Sequence, residues 1–419
     1  MVKTKLHALK RLEGLSMDLI KKFKLLMALM STGFLGNLLV IYFLSKGFSY
    51  AQIGLETSVM VLGGFLFEVP TGVVGDKISR KLSVLLGFTI HAFGSVVLLF
   101  LHNFPMLLLY ALISALGASF VSGSFEAWLF DDLKHIGRER EYRKVMREAK
   151  SITIPLSATT LVVGAFLAQF YGFTLPIVLG LIVELLAVVL ILSIPEYEFK
   201  KTERNYLGHT LSSLRELFQP RLFWLVLLSI IVGMQTNQFR KFFEPYLGGV
   251  LAKSLGTTLM GTLGLLGVVE VTVRTVPRLI GVRLRDSWSR KAYSLAPVLL
   301  PLLTVLSVVY TNPLWIVALG IALTIITAAF GFNLNVEFQH RIPSEKRATI
   351  LSLDRMLAGL VMAVFYAVYG FAVDKLGLSG ARLMFAIALL VLGAGFKAGE
   401  VLGFLGEHLK LHHLEESGD

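Results

Sequence analysis

The sequence contains no cysteine, which excludes disulfide bonds, cysteine-based metal sites and thiol catalysis. Charged residues are scarce as well: they make up 16% of the 419 residues, whereas hydrophobic residues make up 55%. A water-soluble protein of this size would need more polar side chains to cover its surface. The shortage of charge therefore predicts a polytopic membrane protein.

Motifs of nucleotide and metal chemistry are missing too. No Gly-x-x-x-x-Gly-Lys-(Ser/Thr) phosphate loop occurs, which argues against ATP-driven work. No metal-ligand cluster or Ser/His pair falls at a shared depth in the apolar segments, so we expect no enzyme activity, no metal and no cofactor. His408, His412 and His413 lack a carboxylate or thiol framework and are interpreted as part of a solvated tail.

Apolar segments long enough to cross a membrane recur along the whole chain. A hydrocarbon core of about 30 Å takes about 20 helical residues to cross. Twelve such segments, arranged as six plus six around a polar linker, are predicted at 23–44, 52–71, 82–101, 105–126, 152–171, 174–194, 222–247, 255–276, 292–310, 313–334, 350–371 and 381–404.

The net charge of +12 is explained by the distribution of Lys and Arg along these segments. With the N-terminus inside, 34 of the 40 basic residues fall on the inner side, so the positive-inside rule predicts a cell-membrane protein with both termini in the cytoplasm. We expect these charges to meet anionic lipid and expect no nucleic-acid partner. Six basic residues fall at or near the outer face: Lys46, Arg240, Lys241, Lys253, Lys375 and Arg382.

The segments define five regions. We predict an amphipathic cytoplasmic helix at 1–22, an N-terminal six-helix bundle at 23–194, a cytoplasmic linker at 195–220, a C-terminal six-helix bundle at 221–405 and a cytoplasmic tail at 406–419. Residues 1–22 carry leucines at helical spacing among lysines, which is typical of a helix on the membrane surface. Whether that helix is an ordinary surface element or a regulatory anchor stays open.

The connection between the second and third segments has a distinctive sequence, Gly-Val-Val-Gly-Asp-Lys-Ile-Ser-Arg-Lys. It resembles the signature loop of the major facilitator superfamily, Gly-x-x-x-Asp-(Arg/Lys)-x-(Gly/Ser)-Arg-(Arg/Lys). All six specified positions are filled, by Gly72, Asp76, Lys77, Ser79, Arg80 and Lys81. We interpret this stretch as a hinge loop.

A degenerate second copy of the motif supports the resemblance. A shift of 210 residues places Asp76, Ser79, Arg80 and Lys81 on a second set of residues between segments eight and nine: Asp286, Ser289, Arg290 and Lys291. The resemblance implies the major facilitator fold, which is all-α and consists of two pseudo-symmetric six-helix bundles.

The resemblance also implies an inner gate. In the family, the signature Asp and Arg form a charge network with a carboxylate at the end of the fourth helix. Here that network comprises Gly72, Asp76, Lys77, Arg80, Lys81 and Glu126. We expect Asp76 where the third helix begins, because the helix dipole favours a carboxylate there by about 0.3–1 kcal/mol. The alternative is that these are loop charges that only set topology.

Family members line their central path with helices 1, 4, 7 and 10. Six of the 13 Asn and Gln residues lie in three of those segments or directly after one of them, and an amide in hydrocarbon is costly unless it meets water or a partner. The candidate cavity residues are Asn37, Tyr42, Gln235, Gln238, Phe239, Thr324 and Asn333. Hydrogen bonding between helices is the alternative for these side chains.

Ionisable residues inside the predicted spans are candidates for proton coupling. We single out Glu184, Glu270 and Glu56. Glu184 has no cation on its own helix and could have His91 as its partner, whereas Glu270 precedes Arg274 by four residues, the favourable order for an intrahelical ion pair.

The sequence therefore predicts a secondary transporter that works by alternating access and exports a small amphipathic organic compound in exchange for protons. Import or facilitated passage of a metabolite is the alternative within the same fold. A receptor that does not transport, or a membrane-embedded enzyme, is the alternative from another class. The expected partners are a small-molecule substrate, a proton or other coupling ion and membrane lipid, and we expect a monomer.

Overall fold

The computed structural model describes residues 18–197, 219–342 and 347–401. We number the α-helices in chain order and describe each by its limits. They are α1 (18–31), α2 (Leu39–Ser45), α3 (Tyr50–Lys77), α4 (Arg80–Leu99), α5 (Phe104–Val121), α6 (Ser124–His135), α7 (Tyr142–Tyr171), α8 (Thr174–Ser193), α9 (Pro220–Leu255), α10 (Leu263–Val282), α11 (Asp286–Val309), α12 (Pro313–Arg341) and α13 (Arg347–Val401).

Within these ranges the regular structure is helical throughout, which confirms the predicted fold class. The reason is physical: hydrocarbon offers no partner for backbone N–H and C=O groups, and a helix satisfies both within one segment. Nine spans in the described ranges are long and apolar enough to cross a membrane. One of them, Leu353–Gly399, contains a sharp turn at Gly377 (φ 72°) and so provides two crossings.

Two predicted helices are interrupted. The segment predicted as 23–44 stops at residue 31, continues as a short 3₁₀ helix at Gly36–Leu38 and resumes as α2. The segment predicted as 105–126 stops at Val121 and resumes as α6. Gly36 and Gly123 stand at these breaks with φ of 49° and 74°, a conformation that glycine adopts without steric cost.

The signature stretch is mostly helical, and the prediction of a ten-residue hinge loop was wrong. Helix α3 continues to Lys77 and α4 begins at Arg80, which leaves two residues between them. The Ser79 side chain caps α4 by accepting a hydrogen bond from the Leu82 N–H at 2.8 Å. Asp76 therefore lies in the last turn of α3, and the expected dipole stabilisation at a helix start does not apply to it.

The described residues form two compact units. The first contains residues 18–36 and 63–197, and the second contains residues 37–62, 219–342 and 347–401. The core of the first unit includes an edge-to-face contact between Phe23 of α1 and Trp128 of α6, with ring centroids 4.8 Å apart. Most of the predicted amphipathic helix, linker and tail, with His408, His412 and His413, lies outside the described residues.

Helices of the second unit approach closely where glycine leaves room. A Cβ atom at Gly393 of α13 would overlap the backbone oxygen of Pro297 in α11, whereas a Cβ at Gly395 would meet nothing within 4 Å. Small residues allow helices to pack backbone to backbone in a membrane.

This pair of glycines provides a matched test of the packing. We expect Gly393→Ala to lower the free energy of unfolding by about 1–3 kcal/mol, because the added methyl group forces the two backbones apart. Gly395→Ala should be neutral or stabilising by up to about 1 kcal/mol, because alanine is the better helix former. Thermal unfolding in detergent micelles measures both, and equal effects of the two substitutions would contradict the close approach.

Candidate functional site

Arg80 is the centre of the signature network. Its Nη1 atom donates to the backbone oxygen of Ala127 at 3.0 Å and forms an ion pair with the Asp131 carboxylate. Lys81 donates to the backbone oxygen of Ile194 at 2.6 Å. Asp131, on α6, thus supplies a carboxylate for Arg80, whereas the predicted partner Glu126 is exposed one turn earlier on the same helix.

The other signature residues differ in exposure. Asp76 is half-buried and Lys77 is exposed. A Cβ at Gly72 would meet nothing within 4 Å, whereas a Cβ at Gly75 would lie 2.6 Å from the Ser124 Oγ atom. The position in this stretch that requires glycine for packing is therefore Gly75.

The second copy of the motif differs from the first. Asp286 is the first residue of α11 and is exposed, and Lys291 lies over the Trp288 ring at 5.5 Å from its centroid. Arg290 is half-buried. Ser289 is buried and accepts a hydrogen bond from the Asn333 amide at 2.7 Å, so its hydroxyl joins α11 to α12.

The predicted cavity residues make hydrogen bonds inside the second unit. The Gln235 amide donates to the Thr304 hydroxyl, and the Gln238 amide donates to the backbone oxygen of Arg382 at 3.0 Å. Both glutamines are about 1% exposed or less. Their contacts correspond to the alternative of hydrogen bonds between helices.

The remaining cavity candidates are distributed among three helical segments. Tyr42 of α2 is buried. Thr324 of α12 donates to the backbone oxygen of Gly320 at 3.0 Å. The side chains of Asn37 and Phe239 lie outside the part of the structure that is described.

A group of three charged side chains, which we call the buried carboxylate cluster, consists of Glu244, Glu270 and Arg274. Arg274 of α10 donates to Glu244 of α9 at 2.5 Å and to Glu270 at 3.3 Å. Glu244 is 1% exposed and Glu270 is 6% exposed. The predicted pair of Glu270 and Arg274 is therefore present, and a second carboxylate shares the same guanidinium.

A fourth charge lies near this cluster. Arg382 of α13 is 1% exposed, and its guanidinium lies 4.6 Å from the centroid of the Tyr246 ring. Arg382 is also within electrostatic range of Glu244. Desolvated charges of opposite sign therefore meet where α9, α10 and α13 pack together.

The other two carboxylates predicted for proton coupling have different partners. Glu56 of α3 is 1% exposed, lies 3.6 Å from the Lys241 Nζ atom and accepts a hydrogen bond from the Thr57 hydroxyl at 2.9 Å. Glu184 of α8 accepts from the Ser95 hydroxyl at 2.7 Å. His91, proposed as the partner of Glu184, packs against Gly117 of α5.

The N-terminal half of α3 is fastened to α13 by a set of contacts that we call the α3–α13 clamp. Both carboxylate oxygens of Asp374 accept backbone hydrogen bonds at the start of α3, from Tyr50 and from Ala51, each at 2.9 Å. The Ser58 hydroxyl donates to the backbone oxygen of Ala363 at 2.5 Å. A Cβ at Gly54 would overlap the backbone oxygen of Tyr366, so the two helices touch backbone to backbone.

Sequence reasoning missed four of these residues: Asp131, Glu244, Asp374 and Arg382. Arg382 was expected at or near the outer face. The spacing of Arg240 and Glu244 on one helix fits either an outer gate or an ion pair, whereas the structure pairs Glu244 with Arg274. Only contacts between helices distant in sequence identify these partners.

Solved structures show the same arrangement of helices. The nucleoside transporter NupG superposes with a TM-score of 0.73 at 15% sequence identity, covering 92% of this chain and 98% of that one. A bacterial homolog of the human lysosomal transporter Spinster, in an inward-facing and unoccupied conformation, superposes with a TM-score of 0.67 at 14% identity, covering 91% and 96%. At these identities the likeness establishes the fold alone.

Sequence comparison decides the family. Residues 24–365 match the model of the Major Facilitator Superfamily, well over half of the chain. The chain belongs to the major facilitator superfamily. A relative from Bacillus subtilis (strain 168), the uncharacterised MFS-type transporter YxaM, is 25% identical over 263 residues, and the alignment spans 58% of this chain and 63% of that protein.

Membership of the major facilitator superfamily confirms the resemblance seen in the signature stretch. It also establishes a multi-pass membrane protein with the two-bundle fold. The matched range contains the signature network, the buried carboxylate cluster and the N-terminal half of α3.

The buried carboxylate cluster should contribute strongly to the stability of the fold, because its two carboxylates share Arg274. Replacing Arg274 with Met leaves two buried carboxylates without their guanidinium, so we expect the free energy of unfolding to fall by about 3–5 kcal/mol. The matched control is Arg278→Met, since Arg278 is exposed on the same helix and its loss should change stability by no more than about 0.5 kcal/mol. Thermal unfolding in micelles gives both values, and a tolerated Arg274→Met would argue against the ion pairs.

The α3–α13 clamp should control access to buried residues of α3. Asp374→Ala removes two charge-assisted hydrogen bonds, each worth about 1.5–3 kcal/mol. The reporter is a cysteine placed at Ser58, and we expect it to react with maleimide at least about tenfold faster when Asp374 is replaced than when it is present. A loss of about 1.4 kcal/mol corresponds to a factor of ten. The chain has no native cysteine to interfere. Lys375→Ala, at the exposed neighbouring residue, is the control, and an unchanged labelling rate in Asp374→Ala would show that its carboxylate does not hold α3.

Proposed function

We propose that this chain is a proton-coupled secondary transporter of a small organic molecule and that it works by alternating access. The fold and the family support transport as the class of function. The observation that carries the coupling is the buried carboxylate cluster, in which two desolvated carboxylates share Arg274. Ionisable groups inside a membrane span are costly and therefore mark function more often than structure.

The cluster has the chemistry of a proton-binding site. The Glu244 Oε2 atom is buried and makes no hydrogen bond within the described residues, so a proton on that oxygen would reduce the cost of burying the carboxylate. Protonation of Glu244 would leave Arg274 free to bind Glu270 more tightly, and the contact between α9 and α10 would change.

Alternating access requires contacts that can open, and two sets of residues support such a role. The α3–α13 clamp depends on a few hydrogen bonds and one close approach, which can separate without unfolding a helix. The signature network depends on Arg80 and Asp131. We infer that the clamp closes one side and that the signature network closes the other.

Several finer predictions accompany this proposal and rest on the sequence. Export in exchange for protons is the predicted direction, with import of a metabolite as the alternative. We also predict a monomer in the cell membrane, with both termini in the cytoplasm, contact with anionic lipid and no enzyme activity. The sign of the pH change inside vesicles of known orientation distinguishes export from import.

Proton coupling is tested by a substitution that removes the titratable group of Glu244 and keeps the shape of its side chain. In Glu244→Gln, the side chain still accepts a hydrogen bond from Arg274 but no longer titrates. We expect the infrared band of a protonated buried carboxyl to be lost from pH-difference spectra of the purified protein. We also expect substrate-driven proton flux in vesicles containing a pH-sensitive dye to fall at least about tenfold, the usual scale for loss of an acid–base group.

Glu139→Gln is the matched control, because Glu139 is exposed and far from the cluster in sequence. It should leave both the infrared band and the proton flux unchanged. Wild-type proton flux in Glu244→Gln would remove the cluster from the mechanism.

A further inference from the structure

Arg240 is an unusual cation in α9. It lies within the membrane-spanning stretch Leu222–Leu255, and its side chain is exposed. No carboxylate of the described residues lies within ion-pair distance of its guanidinium. Glu244, four residues further along α9, pairs with Arg274, and Glu56 lies near the adjacent Lys241. A guanidinium in a membrane span needs an anion or water.

The surroundings of Arg240 are polar. Asn237, Arg240, Lys241 and Glu244 recur at spacings of three and four, so they share one face of α9. The Tyr366 hydroxyl of α13 donates to the Asn237 side-chain oxygen at 2.9 Å, and Tyr366 is within electrostatic range of Arg240. Arg240 therefore belongs to the polar face that meets α13.

Lys241 is only loosely engaged. Its ammonium lies 3.6 Å from the Glu56 carboxylate, beyond hydrogen-bond distance. Both oxygens of Asp374, the next carboxylate along α13, bind the start of α3. Within the described part of the chain, the carboxylate that Lys241 has nearby is therefore that of Glu56 alone, and no hydrogen bond joins the two.

The carboxylates around this part of α9 bind groups other than Arg240. Glu244 and Glu270 pair with Arg274, Glu56 lies near Lys241, and Asp374 accepts backbone hydrogen bonds. Among the described residues, Arg240 has no carboxylate within ion-pair distance. An exposed guanidinium presents parallel N–H groups that bind the two oxygens of a carboxylate or phosphate.

We propose that Arg240 and Lys241 bind an anionic group of the substrate, so that the transported molecule carries a carboxylate or a phosphate. This inference rests on the proposed transport function and narrows its substrate class. Asn237 lies one turn before these cations on α9, and its amide nitrogen is 3.5 Å from the sulfur of the buried Met362. The site differs from the sequence-based prediction, which relied on Gln235 and Gln238.

The test uses matched compounds on the full-length purified protein. Thermal stabilisation is measured with sets that share one carbon skeleton: an organic carboxylate, its primary amide, the corresponding amine and an organic phosphate. A ligand that binds the folded state raises apparent stability by mass action. We expect the carboxylates or the phosphates to stabilise the wild type and the amides and amines not to do so.

Three variants locate the effect. Arg240→Gln should weaken apparent anion affinity at least about tenfold, about 1.4 kcal/mol. Arg240→Lys should retain part of it, because the charge remains while the paired donors are lost. Lys253→Gln, an exposed cation further along the same helix, should behave as the wild type.

The outcomes separate this inference from the transport function. If amides stabilise the wild type as well as carboxylates do, and Arg240→Gln binds both equally, the anion site is overturned while transport stands. If no compound class stabilises the protein or crosses vesicles that contain it, both proposals are overturned.

The headgroup of an anionic lipid carries a phosphate, as an organic phosphate substrate does. A separate experiment distinguishes the two. Phosphatidylglycerol is therefore added to neutral micelles of the wild type and of Arg240→Gln. Stabilisation by that lipid which depends on Arg240, with no effect of soluble carboxylates or phosphates, would assign the site to lipid and overturn the substrate proposal.

Discussion

The cost of burying charged side chains away from water limits how the helices of this protein can pack. Taking an ion out of water costs several kcal/mol unless a partner of opposite sign and good geometry is supplied. The chain has few charges, and buried or half-buried ones bind a group on another helix, as Arg274 binds Glu244 and Arg80 binds Asp131. Such pairs fix which helices touch more strictly than apolar side chains can, because lipid tails compete equally well for apolar contacts.

The ends of helices obey the same rule. The first backbone N–H groups of a helix have no partner inside it. Ser79 supplies one for α4, Asn103 supplies one for α5, and Asp374 supplies two for α3 from a distant part of the chain. The first two capping residues are close in sequence to the N–H groups that they bind, so each stabilises the start of its own helix. The third joins two helices of the second unit that are distant in sequence.

The two copies of the signature motif show how a repeat diverges. Asp76 lies in the last turn of α3, whereas Asp286 opens α11. The connection before α11 contains Arg283 and Arg285 and is longer than the two residues between α3 and α4. A helix dipole favours a carboxylate at a helix start and disfavours it at a helix end, so equivalent residues have different electrostatic surroundings.

The fold class, the positions of most spans and the family resemblance could be predicted from the sequence alone, because the length of an apolar segment and the residues of a short motif are local properties. The sequence also indicated the pair of Glu270 and Arg274, which lie four residues apart on one helix. It did not determine that Gln235 and Gln238 bind other helices, that Glu244 shares Arg274 or that Asp374 caps α3. Those contacts join residues dozens to hundreds of positions apart, and tertiary packing alone decides which buried polar groups meet.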